Sequence, residues 1–291
     1  MKVARAFAPA HVTGFFQILD CAKDFCRKGS RGAGLCLSKG IITQVEAERA
    51  RTKKIEIFLN GKSAEAEVTR KVAEELVGNK KLNIKISSKT QLPISQGFGM
   101  SGAGALSTAL ALNDAINLKL SYEEVVSVAH KAEIICKTGL GDVYAQSIGG
   151  AEIRLREGLP PFGIIKNFSW EYKNIVISVI GEEIKTKSIL TNPKLRAKIN
   201  LWGRKCLKKL TKRAYVENFF AVSNEFALKT GLATKKVLEA IEKCRKYGYA
   251  AQAMLGNSVF AVGDTKKLID ILKGYGDIYV CSIGERAQIL E

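Results

Sequence analysis

Proline and histidine are scarce in this chain of 291 residues, which holds five prolines and two histidines. So little proline, with no periodic glycine, excludes collagen-like and long disordered architectures. With only His11 and His130 available, a Cys/His metal cage would need widely scattered ligands. Seven cysteines, an odd number spread from Cys21 to Cys281, do not read as a disulfide framework. No apolar run approaches the roughly 20 residues that span a bilayer. The first residues lack the roughly 7–15-residue apolar stretch of a secretory signal. A cytoplasmic protein with no membrane partner is therefore expected. Aromatics are 8% of the chain and do not interleave with basic residues, so a base-stacking surface is not indicated.

Positive charge is abundant. Forty-six Lys and Arg face 28 Asp and Glu, a formal net charge of +18. Such a field draws in anionic small molecules or nucleic acid. The excess is concentrated at residues 184–216, with eleven basic and no acidic residues. That run reads first as a solvated helical face, and a phosphate-backbone patch is the alternative.

Along the chain, residues 2–8 read as a strand ended by Pro9, and the glycine-rich residues 29–34 as a flexible turn. Strands are expected at 34–47 and 54–59, a helix over 65–77, and an alternating strand at 82–86. A small-residue helix follows over about 101–117. Ser121 with Glu124 forms a capping box that opens a helix to about Lys137. Gly139 and Gly141 break that helix, and a strand is expected near 151–156. Pro160 and Pro161 mark the best boundary, which gives domains 1–162 and 163–291. The second half reads strand (174–180), two or three helices (188–247), strand (259–263), helix (265–273), strand (277–282). This rhythm is close to a ferredoxin-like split unit.

The most informative segment is Pro93-Ile-Ser-Gln-Gly97-Phe98-Gly99-Met100-Ser101-Gly102-Ala103. It follows a strand and opens a helix. Glycines let the backbone approach a ligand, and free N–H groups at a helix N-terminus hold phosphate oxygens. The Ser101 hydroxyl is placed to reach a phosphate-bound Mg²⁺. A Walker A loop is excluded, because no Lys-Ser/Thr pair stands at the required place. Gly97, Gly99 and Gly102 match a dinucleotide fingerprint. The preceding strand alternates polar and apolar, however, and a helix rather than a strand follows the loop helix, so no βαβ unit closes.

The segment resembles the P-x3-G-L-G-S-S-A motif of the GHMP kinases (galacto-, homoserine, mevalonate and phosphomevalonate kinases). Pro93, Gly97, Gly99, Ser101 and Ala103 fall in register, and Phe98, Met100 and Gly102 replace Leu, Ser and Ala. The resemblance implies ATP as phosphoryl donor, bound along 97–103, with Mg²⁺ held by Ser101 and by Glu133 on the second helix. It implies a catalytic aspartate at Asp142, in the glycine-flanked stretch that follows. It also implies an α/β, two-domain fold: a ribosomal-protein domain-2-like nucleotide domain and a C-terminal ferredoxin-like domain.

Two further stretches, Ala6-Phe-Ala-Pro-Ala-His11-Val-Thr-Gly-Phe-Phe16 and Gly29-Ser30-Arg31-Gly-Ala-Gly34, are similar to the archaeal pantoate kinase branch of that family. The resemblance implies the phosphorylation of a small hydroxy-carboxylate. Arg31 is the first choice for its carboxylate, since a guanidinium binds carboxylate through two parallel bonds. Ser30 and Asp20 are expected beside it, and His11 is expected to act on the substrate or on Asp142. His130 reads as structural. Residues 253–258 stand where the family has a third, glycine-rich motif, but they are thin in glycine and receive no role. Acceptors such as mevalonate, homoserine or shikimate remain the alternative within the family, and a basic nucleic-acid-binding protein is the alternative outside it. A homodimer is the default oligomer for such an enzyme.

Overall fold

The computed structural model describes residues 2–184 and 186–291. The first part of the chain runs β1 (Lys2–Leu19), β2 (Gly29–Arg49), β3 (Lys54–Leu59), β4 (Lys62–Ser63), α1 (Glu67–Val77), β5 (Leu82–Thr90), α2 (Met100–Ala115), α3 (Tyr122–Cys136), α4 (Asp142–Ile148), β6 (Ala151–Arg156) and β7 (Ile164–Asn167). The second runs β8 (Ile175–Val179), α5 (Thr186–Leu190), α6 (Pro193–Lys212), α7 (Val216–Thr230), α8 (Lys235–Cys244), β9 (Gly248–Ala253), β10 (Ser258–Gly263), α9 (Thr265–Leu272), β11 (Asp277–Cys281) and β12 (Gln288–Leu290). The fold is α/β with two sheets.

The first sheet has the order β12-β1-β2-β5-β3-β4, with β6 and β7 branching from the far end of β2. Among the described residues only the β3–β5 pair of this sheet is parallel. Its long axis is the β1–β2 ribbon, which pairs from Lys2↔Ala47 to Leu19↔Gly29. Proline does not end β1. The register shifts between Pro9 and Ala10, so the residue that has no N–H to donate sits at an irregularity of the ladder.

Residues 29–34 form a strand rather than a turn. Here β2 is paired on both sides, to β1 and to β6, with Gly32 opposite Phe16 and Arg154, and Gly34 opposite Thr13 and Glu152. The glycines serve close approach. A Cβ on Gly34 would stand 2.4 Å from the Val12 carbonyl oxygen and 2.5 Å from His11 Nε2. The absent side chain is the space that the imidazole fills.

Helix α2 is buried almost throughout. Ala, Gly and Ser are the residues that let a helix sink between a sheet and its neighbours. The Ser121–Glu124 capping box opens α3 as expected.

The second sheet has the order β11-β8-β10-β9, all neighbours antiparallel. With helices between β8 and β9 and again between β10 and β11, this is the ferredoxin-like order. The element missing from the sequence reading is β9. Both faces of the sheet are covered, and the alternation of the strands shows it. Ile175, Ile177 and Phe260 join the aromatic core with Phe219, Phe220 and Phe226. Val176, Val259 and Ala261 face α8 and α9 through Val237, Ile241 and Leu268.

The division at 162/163 does not fall between the sheets. Strand β7 extends the first sheet, and β12 returns to pair with β1. The basic run occupies α5 and α6, and Lys185 lies outside the described residues. Helix α6 is amphipathic, with Ile199, Gly203, Cys206 and Leu210 buried against the body. It closes on β1 where Asn200 accepts from Ile18 N at 2.7 Å and donates to its carbonyl at 3.1 Å. Among the described residues, no helix is long and apolar enough to cross a membrane.

Gly34→Ala is expected to force the His11 ring or the β1 backbone aside, lowering stability by about 1–3 kcal/mol, the usual range for overpacking. Urea unfolding of variant and parent measures it, and no change would mean that the ring relocates freely.

Candidate active site

A cavity of about 520 Å³ lies where the loop before α2 meets β1, β6, α3 and α4. Gly97, Phe98, Gly99, Met100 and Ser101 line its floor. The loop reaches this shape through positive φ at Gly97 (81°) and at Gly99 (58°), the N-cap of α2. Three contacts fix it to the fold. His11 N donates to the Phe98 carbonyl at 2.9 Å, Gln146 Nε2 donates to the Gly99 carbonyl at 2.9 Å, and Gly256 packs on the Gln96 carbonyl.

Not every residue of the expected loop faces the cavity. The Ala103 N–H is taken by the Gly99 carbonyl at 3.0 Å, so it is not free for a ligand. Gly102 is turned toward Gln146 and Asp142, and Pro93 lies outside the lining. The remaining first-turn N–H groups point out of a helix N-terminus, an arrangement suited to an anion.

At one side of this floor stands Glu133, from α3. Its Oε1 accepts from Ser101 Oγ at 2.5 Å and from Thr138 Oγ1 at 2.7 Å. Burial pushes its carboxyl up to about 7, against the two hydroxyl bonds, and the charge of Asp142 adds to the rise. Asp142 begins α4. The break at Gly139 and Gly141 that ends α3 therefore serves to start a short helix with this carboxylate at its first position.

Asp142 Oδ1 lies 2.7 Å from Nδ1 of His11, which is fully buried. The other ring nitrogen faces Glu152 Oε1 at 3.0 Å. Arg154 NH1 donates to the same Glu152 oxygen, and NH2 lies 3.4 Å from Thr13 Oγ1. Burial opposes charge on His11, but its bonds to the two carboxylates hold its pKa above the ordinary imidazole value. Burial would likewise raise Asp142, yet the hydrogen bond and charge of His11 hold it below the usual carboxylate range. An imidazole, a guanidinium and two carboxylates thus meet in one cluster, of which His11, Glu152 and Arg154 are buried and Asp142 faces the cavity.

The other cavity walls divide by chemistry. Ile57, Phe58, Val68 and Ile94 make one end apolar, while Thr13, Phe16, Ser30, Arg154 and Leu190 surround the other. Arg154 is 2% exposed and its Nε has no partner, as has Glu152 Oε2.

Of the residues expected at the acceptor end, Ser30 lines the cavity, while Arg31 and Asp20 do not. Arg31 is half-exposed and spends its Nε on Glu157 at 2.6 Å. Along β2 successive side chains alternate sides, so Ser30 and Arg31 part company. Asp20 accepts two bonds from Arg196, at 2.6 and 3.1 Å, and Arg196 also holds the Leu190 carbonyl at 2.8 Å. That pairing lowers the Asp20 carboxyl. Asp20 therefore anchors α6 and the Leu190 wall. Among the described residues the cation of the cavity is Arg154, which sequence reasoning missed together with Glu152. Their signal was two charged residues at i and i+2 in a strand that follows Gly149-Gly150. His130 is structural, buried with its Nε2 3.0 Å from the Lys28 carbonyl, and burial lowers its pKa. Met254 and Leu255, in the stretch given no role, also line the cavity.

The chain is similar to known proteins over most of its length. The model of the GHMP kinases N terminal domain matches residues 65–150. A pantoate kinase of Methanocaldococcus jannaschii is 36% identical over 95% of this chain and 99% of its own. A pantoate kinase of Thermococcus kodakarensis is 35% identical over 89% of this chain and 87% of its own. The solved structure of a phosphotransferase related to the CoA biosynthesis pathway superposes with a TM-score of 0.89, at 30% identity over 99% of this chain and 98% of its own.

Arg154→Ala is expected to cost about 3–5 kcal/mol in stability, because it removes the guanidinium from a buried carboxylate and leaves His11 as its one side-chain partner. Arg31→Ala should cost under about 1 kcal/mol, as for a half-exposed pair. Urea denaturation of the two variants side by side checks the contrast, and equal losses would contradict it.

Proposed function

The chain belongs to the GHMP kinases and, within them, to the pantoate kinases, and from that premise we propose that it transfers the γ-phosphoryl group of ATP to the primary hydroxyl of pantoate, giving 4-phosphopantoate for coenzyme A synthesis. The observation that carries the reading is the sequence of chemistries along one cavity. An apolar end suits a base, a helix N-terminus suits phosphates, and a carboxylate held by His11 stands beside a buried guanidinium.

In this reading the backbone N–H groups of Gly99 to Ser101 hold phosphate oxygens. Ser101 and Glu133 offer a hydroxyl and a carboxylate side by side, hard oxygen donors that fit Mg²⁺. Among the described residues no group of three or more His, Cys, Asp and Glu forms a metal cage. That suits an ion held by one or two protein ligands and the phosphates. When bound, Mg²⁺ offsets charge on the β- and γ-phosphates.

Arg154 and Ser30, both in the lining, form the carboxylate end of the acceptor site. Phe16 and Leu190 give it an apolar wall. Asp142 accepts the hydrogen bond of the acceptor hydroxyl. As the oxygen bonds to phosphorus and the bond to the ADP oxygen breaks, the hydroxyl becomes acidic and its proton passes to Asp142. A carboxylate of low basicity suffices, because phosphoryl transfer depends mainly on positioning and the proton leaves late.

The direct test is incubation with Mg-ATP and pantoate, mevalonate, homoserine, shikimate or no acceptor, following ADP release and the mass of the product. Pantoate-dependent ADP with phosphopantoate is expected. Turnover confined to another acceptor would overturn the specificity. In the same assay Asp142→Asn should lower kcat by about 10²–10⁴-fold, the range for a lost acid–base group, with the KM for ATP within about threefold of the parent. Near-parental turnover would remove Asp142 from the chemistry.

A further inference from the structure

We propose that Glu152 is a positioning residue of the transfer site: from the far side of the His11 ring it keeps that ring doubly protonated and fixed, so that Asp142 meets the acceptor hydroxyl as an ionised, oriented carboxylate. The inference deepens the kinase reading and rests on it for its kinetic consequence only.

The geometry is the first argument. Nδ1 lies 2.7 Å from an Asp142 oxygen and Nε2 lies 3.0 Å from a Glu152 oxygen. A neutral imidazole carries one N–H, so one of these contacts would set a lone pair against a carboxylate. A doubly protonated ring donates to both. The ring is fully buried, so water does not relieve a mismatch there.

The groups facing the ring are few. Asp142 approaches from α4, and Glu152 and Arg154 from β6, with Arg154 NH1 3.3 Å from Nε2. Cys36 stands opposite on β2 as a neutral thiol, its pKa pushed far up by burial, and the Thr13 hydroxyl is 3.5 Å from Nδ1. The raised pKa of His11 agrees with this set.

Glu152 is wholly buried and lies outside the cavity lining, so it touches no substrate. Its position is held by the β2 register, opposite Gly34, the residue whose missing side chain admits the ring. Without the Glu152 charge, the Arg154 guanidinium stands beside an imidazolium with only Asp142 to balance both. The ring then gives up its proton at lower pH, and Asp142 loses the charged partner that fixes it.

The chain has only two histidines, so ¹⁵N-histidine labelling and NMR of the intact protein resolve both rings, with His130 as the neutral reference. In the parent, both His11 nitrogens are expected to carry protons at pH 7. In Glu152→Gln the titration should move down by about one pH unit or more, the scale of one lost neighbouring charge. The alkaline limb of the kcat–pH profile should move with it while the KM for ATP stays within about twofold, and Glu152→Asp, which keeps the charge, should restore most of the profile. A parent ring that reads as neutral at pH 7 overturns the proposal with no variant needed. A variant that loses activity on an unmoved pH profile overturns it too, since packing alone would do that. If the parent shows the imidazolium but no pantoate-dependent turnover, the kinase reading fails and the assignment of the buried ring stands.

Discussion

The site depends on a constraint of charge: His11, Glu152 and Arg154 are buried, Asp142 stands beside them at the cavity wall, and the four must balance one another. An isolated ion in such a place would cost several kcal/mol or titrate away. Here each group has a partner of opposite sign within hydrogen-bond distance, except for one oxygen of Glu152 and the Nε of Arg154. Much of the local architecture follows from that need. Strand β2 gives up side chains at Gly32 and Gly34 so that β1 and β6 can bring the histidine and the Glu-x-Arg pair together across it. The backbone N–H of the same histidine holds the phosphate loop at Phe98. One residue thus ties the loop that faces the anion to the carboxylate that faces the acceptor.

What was legible in the sequence is what is local. The loop from Gly97 to Ser101, the capping box at Ser121 and the glycine-flanked Asp142 each have a chemical reason that spans a few residues. The ferredoxin-like half showed through its rhythm of elements. What was hidden is what long-range pairing decides. Residues 29–34 carry every mark of a turn, but three strands crossing at that point reuse the glycines as clearance. Pro9 reads as a strand end, and a register shift in the ladder absorbs it. Arg31 reads as the carboxylate's partner because it sits among the glycines of residues 29–34. Strand alternation sends Ser30 to the cavity and Arg31 away from it. Arg154 gives no local signal of burial, and only the pairing of β6 between β2 and β7 sets it beside Glu152 and His11.

The two halves of the chain are joined more closely than a cut after Phe162 implies. Thr13 accepts from Met254 N at 2.9 Å, Gln96 donates to the Gly181 carbonyl at 3.2 Å, and Arg196 spans from Asp20 to Leu190. These bonds lie around the cavity rather than at a distant hinge. The second sheet and its helices therefore complete the walls that the first sheet leaves open, with Leu190, Met254 and Leu255 as the contributed surface.

The net charge of +18 acquires a meaning from what the cavity does not contain. Among the described residues no lysine lines it, and Arg154 is the one basic side chain that does. Arg154 is moreover already balanced by Glu152, and the His11–Asp142 pair is neutral as a unit. The site therefore offers a polyphosphate little free positive charge from side chains. Neutralisation there falls to backbone N–H groups at the α2 terminus and to an ion at Ser101 and Glu133. The other described lysines and arginines lie outside the lining, where they raise the local concentration of anions over a Debye length and fix no geometry. Attraction and recognition are thus divided between surface and cavity, which leaves the buried cluster free to orient a hydroxyl without holding the phosphates as well.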